Sequence, residues 1–335
     1  MRANKLNKIG NTASLFLSIG GCVSLPPYIG RENLRANTEK HKNLLIEKAN
    51  ESTLNDISAI YWTSATQQPS LTYFDDNNIF YTKRLESGNF YAAWTNQKNR
   101  YDAIVSNGLG TNASSIEQMA FSFLTRGINT YALDRAGSGM NSARNDVSLW
   151  ERDLINLAKR LKKPVIISQC FSTGLVAEVS NFHPELFSRA VYLAPAFNLY
   201  FEPSAREKFM IGLSVLSFSD VPHKNPVPIK AYTPSCFFRT MLFNDPLFSY
   251  SPTTSTYIKG SRLNSRAEHL IKNPKIPSTM VIADNDEVVD NEKAIKLFKD
   301  SKNGLLSIIR IDSEHFIPFN RKSWDVIVGV IKNGN

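Results

Sequence analysis

The chain has 335 residues, 42% of them hydrophobic, and a net charge of +9. That length and composition support one large core with an accessory module. No run of like charges and no basic–aromatic repeat occurs, which points away from nucleic acid as a partner.

At the start, Arg2, Lys5 and Lys8 precede an apolar stretch at 13–19 that is too short to span a bilayer. Ile19-Gly20-Gly21-Cys22 follows. Residues 1–21 resemble the signal peptide of bacterial lipoproteins. The resemblance implies a lipidated Cys22 as the mature N-terminus, anchored to a membrane surface of the cell envelope. Val23 in the next position implies the outer membrane in a Gram-negative host. A secreted, periplasmic or cytoplasmic chain is the alternative. Residues 22–62 are polar, with apolar residues from Leu34 to Ile60 at roughly helical spacing, and read as a tether or N-terminal helix.

Alternating residues at 71–94 predict antiparallel strands. An apolar strand at 101–106 runs into Asn107-Gly108-Leu109-Gly110. A helix is expected at 114–126 and a strand at 128–133, followed by Asp134-Arg135-Ala136-Gly137-Ser138-Gly139. A second amphipathic helix covers 150–161. Val165-Ile166-Ile167 then forms a short strand that meets a polar turn, Cys170-Phe171-Ser172-Thr173-Gly174, and a helix. This is close to the G-x-S-x-G elbow, with Cys in place of the first Gly, and it puts Ser172 at a helix N-terminus that favours developing negative charge.

A serine of this kind needs a base, and the base needs an orienting acid. Strand 279–283 ends in Asp284-Asn285-Asp286-Glu287-Val288-Val289-Asp290. Strand 305–311 ends in Asp312-Ser313-Glu314-His315. Of five histidines, only His315 sits at a strand end late in the chain. Strands alternating with helices imply a mostly parallel sheet with helices on both faces, and ligands bind beyond its strand carboxyl ends. Between 197 and 273 the alternation gives way to a stretch rich in aromatics and prolines.

The NGLG loop, the DRAGSG turn, the elbow, the DNDEVVDN run and the late histidine together resemble the α/β-hydrolase superfamily. The nearest look is its monoacylglycerol lipase and lysophospholipase-like branch, over about 73–331. The resemblance implies an α/β-hydrolase fold with core segments 63–196 and 274–335 and an inserted cap at 197–273. It implies a serine esterase acting on monoacyl lipid esters, with Ser172 as nucleophile, His315 as base and Asp286 as orienting acid. Asp284 and Asp290 are rivals for the acid. Leu109 and Thr173 N–H groups would bind the oxyanion. No cofactor and no metal is implied. An aminopeptidase or amidase on the same fold, or a non-catalytic envelope lipoprotein, are the other readings.

Overall fold

Runs of apolar and β-branched residues form eight strands: β1 (Asn78–Arg84), β2 (Phe90–Asn96), β3 (Tyr101–Ser106), β4 (Ile128–Leu133), β5 (Val165–Gln169), β6 (Arg189–Leu193), β7 (Ser278–Asn285) and β8 (Leu306–Glu314). The computed structural model describes residues 78–333, apart from 85–89, 140–146, 218, 246 and 250. The expected signal peptide 1–21, Cys22 and tether 22–62 lie outside them. The strands form one sheet in the order β1-β2-β4-β3-β5-β6-β7-β8. β1 and β2 are antiparallel, β2 runs antiparallel to β4, and the remaining neighbours are parallel.

Alternation along each central strand splits the core into two layers. Val105, Ile167, Val191 and Val281 face one layer. Ile104, Ile166, Tyr192 and Met280 face the other. Helices α1 (Glu117–Leu124) and, at the chain's end, α9 (Arg321–Asn333) cover the first layer with Met119, Phe123, Trp324 and Ile327. The second layer is covered by α2 (Val147–Ala158), α3 (Thr173–Phe182), α7 (Thr254–Lys272) and α8 (Asn291–Asp300). This is the mostly parallel, doubly covered sheet of the α/β-hydrolase fold.

The expected cap ends earlier than 273. Its helices α4 (Ala205–Leu216), α5 (Ile229–Tyr232) and α6 (Cys236–Asn244) precede α7. Leu263, Ala267 and Ile271 of α7 pack into the second core layer, so this helix belongs to the core. Its sequence is polar on the outer face, which hid the buried stripe among the cap residues.

Gly174 is what lets α7 dock. A Cβ there would lie 2.4 Å from the Leu263 carbonyl carbon and 2.6 Å from the Asn264 nitrogen, and the Gly174 N–H donates to Asn264 Oδ1 at 2.9 Å. The glycine therefore serves helix packing, not the elbow. Gly174→Ala should cost about 1–3 kcal/mol, the usual range for forced overpacking. A lower urea midpoint with an unchanged slope is the expected result; an unshifted midpoint would show that α3 and α7 have slack.

Candidate active site

β5 extends past its apolar core. Ser168 and Gln169 are polar yet fully buried, in register with Tyr192 and Leu193 of β6. The chain therefore turns at Cys170, two residues earlier than the sequence suggests. Cys170 has φ 48°, a left-handed conformation that non-glycine residues rarely adopt. A small residue stands two before it and two after it, so the elbow is Ser168-Gln169-Cys170-Phe171-Ser172, with serine in both glycine places.

Ser172 is turned inward and is 1% exposed. Its Oγ donates to the Ser106 carbonyl at 2.6 Å and accepts the Gln169 N–H at 3.2 Å, tying the turn to β3. The structure thus corrects Ser172 as the group facing His315. Thr173 is corrected as an oxyanion donor for the same reason. Its N–H and its hydroxyl both donate to the Cys170 carbonyl, the hydroxyl at 2.6 Å, inside the first turn of the helix.

The residue brought to His315 is Cys170, an electrostatic and hydrogen-bonding partner of the imidazole. His315 follows β8 and is 1% exposed. Its Nδ1 lies 2.9 and 3.0 Å from the two carboxylate oxygens of Asp286, which leaves Nε2 for the thiol. Asp286 Oδ1 accepts the Val288 and Val289 N–H groups at 2.8 Å each, so backbone fixes the carboxylate. The rivals are occupied elsewhere: Asp284 pairs with Arg310 at 2.7 Å, and Asp290 accepts the Glu292 N–H at the start of α8. Gln169 Nε2 donates to the His315 carbonyl at 2.9 Å and holds the loop.

Burial pushes the His315 imidazolium down. Negative charge at Cys170, hydrogen bonds to Asp286 and Cys170, and the Asp286 charge together outweigh burial and lift its pKa to about 10. The raised His315 keeps a proton donor in place beside the Cys170 sulfur.

The cap closes over this pair. The Tyr232 ring of α5 meets His315 edge-on at 6.0 Å, its hydroxyl donates to the Leu109 carbonyl at 3.2 Å, and its carbonyl accepts the Phe316 N–H at 3.0 Å. The aromatic residues of the cap stretch largely pack against one another and against the acid loop. Phe238 stacks on Phe319 at 4.1 Å, and Phe248, Phe316 and Tyr232 pack with Val288 and Val289 of the acid loop. The open space beside Leu109 is a cavity of about 210 Å3 lined by Arg135, Trp150, Ser249, Ser251, Thr256 and Asp220, among others.

Sequence reasoning missed Cys170 and Phe171, whose N–H adjoins it. The available signal was the small-x-Cys-x-small pattern, which overlaps the serine pattern two residues on.

A family model described as serine aminopeptidase, S33, matches residues 97–312. A comparison with curated protein sequences finds no match. Among solved structures, the chain is similar to the Paleococcus ferrophilus monoacylglycerol lipase, with TM-score 0.64, 16% identity, and coverage of 74% of this chain and 99% of that one. A soluble variant of the Saccharomyces cerevisiae monoglyceride lipase gives 0.65 at 12% identity over 80% and 99%. A carboxyl esterase from Bacillus coagulans gives 0.60 at 12% identity over 77% and 98%.

Two outcomes follow from this geometry. Ser172→Ala leaves the Ser106 carbonyl without its hydroxyl donor and should cost about 1–3 kcal/mol in denaturant unfolding. The His315 pKa is raised in the fold, so its imidazolium stabilises fully below about 6.5 and that contribution disappears as pH rises through about 10. By NMR, the ring protons should titrate near pH 10, and Asp286→Asn should lower the midpoint by roughly one unit or more. A wild-type midpoint near 6.5 would refute the pairing with Cys170.

Proposed function

The chain belongs to the serine aminopeptidase (S33) family of hydrolases, and on that premise we propose that it is a thiol-dependent acyl hydrolase of carboxylic esters. One observation carries the proposal: the residue at the strained elbow, against His315, is Cys170. The Cys170 thiolate attacks the ester carbonyl carbon. The oxyanion that forms is held by the N–H groups of Leu109 and Phe171. His315 gives its proton to the departing alcohol, leaving an acyl thioester on Cys170. Neutral His315 then takes a proton from water as the water oxygen attacks the thioester. The thiolate leaves with the electron pair of the broken C–S bond, and the imidazolium is restored. Asp286 keeps the ring in the tautomer both steps need.

Monoacyl lipid esters are the proposed substrate class. The similarity to two monoglyceride lipases supports it. So does α4, which turns Phe209, Leu213 and Leu216 outward, with Leu216 77% exposed, as an apolar face for a lipid surface. The cavity beside Leu109, with Ser249, Ser251 and Thr256 on its walls, suits the hydroxyl-bearing alcohol part of such an ester. A second reading, aminopeptidase, has one observation in its favour. The Asp220 carboxylate lines the same cavity and could hold a substrate amine.

Cys170→Ala should lower kcat by about three powers of ten or more, and iodoacetamide should inactivate the wild type. Ser172→Ala should keep its turnover; the reverse ranking would return the nucleophile to Ser172. On p-nitrophenyl esters from acetate to palmitate, each methylene buried is worth roughly 0.8 kcal/mol, or about fourfold in kcat/KM until the site is full. A steady fall from acetate onward would reject the lipid-ester class. Faster turnover of aminoacyl p-nitroanilides than of any ester would favour the aminopeptidase. No turnover of either, with Cys170 unreactive, would leave a binding protein.

A further inference from the structure

The loop after β3 and the elbow meet on one buried cation. Arg135, two residues past β4, is 4% exposed. Its Nη2 donates to the Gly108 carbonyl at 2.8 Å and its Nη1 donates to the Asn107 carbonyl. The guanidinium also lies over the rings of Trp150 and Phe171, with Cζ 5.4 Å from each centroid. A Cβ on Gly260 would lie 2.2 Å from the Phe171 ring, so α7 leaves room for that ring through a glycine.

The peptide plane turns these contacts into a statement about the site. In a trans peptide the C=O and the next N–H point in opposite directions. Holding the Gly108 carbonyl therefore turns the Leu109 N–H away from Arg135. Among the described residues, that N–H has no protein partner. Thr111 Oγ1 gives the same carbonyl a second, longer bond at 3.2 Å, but only Arg135 grips two successive carbonyls at once.

We infer that Arg135 is a positioning residue for the oxyanion hole: it locks the Gly108–Leu109 peptide with its N–H free for the substrate oxygen, and it braces Phe171, the bearer of the second donor. This rests on the reading of Cys170 as nucleophile. Arg135 touches no reacting atom in this role. Its charge also acts on Cys170, and a test must separate the two effects.

Two reactions of the same thiol do so. Alkylation by iodoacetamide passes through no oxyanion and reports only on the Cys170–His315 pair. Acylation by a p-nitrophenyl ester needs the oxyanion donors. Arg135→Met should lower kcat on the ester by about 10²–10³-fold, the effect of losing one oxyanion donor, with KM within about threefold. Its alkylation rate should stay within about threefold of wild type, which also shows that the fold and the pair are intact. Arg135→Lys keeps the charge with one point of contact and should lose about tenfold in kcat with alkylation unchanged; it carries the comparison if Arg135→Met does not fold. Parallel losses in alkylation and acylation would overturn the inference in favour of a charge effect on the thiol. A kcat within threefold of wild type in both variants would overturn it outright. A wild-type enzyme that iodoacetamide leaves fully active would instead overturn the Cys170 reading, which the kcat ratio by itself does not test.

Discussion

Everything at this site depends on one backbone conformation, the left-handed Cys170. A non-glycine residue held at φ 48° costs on the order of 1–3 kcal/mol and persists only where the surroundings leave no alternative. On one side β5 is paired with β3 as far as Ser168 and with β6 as far as Gln169. On the other, α3 begins at once and is fixed by Gly174 against α7. Ser172, buried between them, ties the turn to the Ser106 carbonyl. With both ends pinned, the chain can reverse only by lifting the Cys170 side chain out of the sheet toward His315.

Charge is then arranged around that side chain in a place with little water. Asp286, His315 and Cys170 line up from three separate strand ends, and Arg135 lies behind the turn, fully desolvated, with its pKa lowered by burial to about 10. Each group is costly to bury alone. Together they satisfy one another. The imidazole answers the carboxylate and the thiol, and the guanidinium answers two backbone carbonyls. Low dielectric strengthens each of these contacts, so the same burial that threatens the site also sharpens it.

The cap packs directly on the loops that carry Leu109 and His315. Tyr232 joins the Leu109 loop to the His315 loop through its hydroxyl and its carbonyl. Asn112 donates to the buried Asp245 of the cap at 2.7 Å, and Ser249 donates to the Gly110 carbonyl at 2.8 Å. A Cβ on Gly110 would lie 2.9 Å from the Ser249 carbonyl oxygen, at a φ of +80°, so this docking needs glycine. Access to Cys170 is consequently set by how the cap seats on these loops. The outward apolar residues of α4 lie apart from that seating.

The order of the elements was legible in the chain because local chemistry specifies it. Apolar runs marked strands β3 to β8, turn residues marked their ends, and a histidine and an aspartate at strand ends are visible as such. Asp286 was distinguishable from Asp284 and Asp290 by motif, and of the three it is the one whose carboxylate lies against His315. The residue that the turn brings to His315 was not legible. Ser168 and Gln169 are polar, and a strand of period two gives no local sign that polar residues at its end stay paired and buried. That depends on β3 and β6, which lie some sixty and twenty positions away in sequence. A shift of two residues in where β5 ends exchanges one candidate for another, Ser172 for Cys170. Arg135 was hidden for a similar reason. Its partners are backbone carbonyls, which carry no residue identity, and only the packed sheet brings them within its reach.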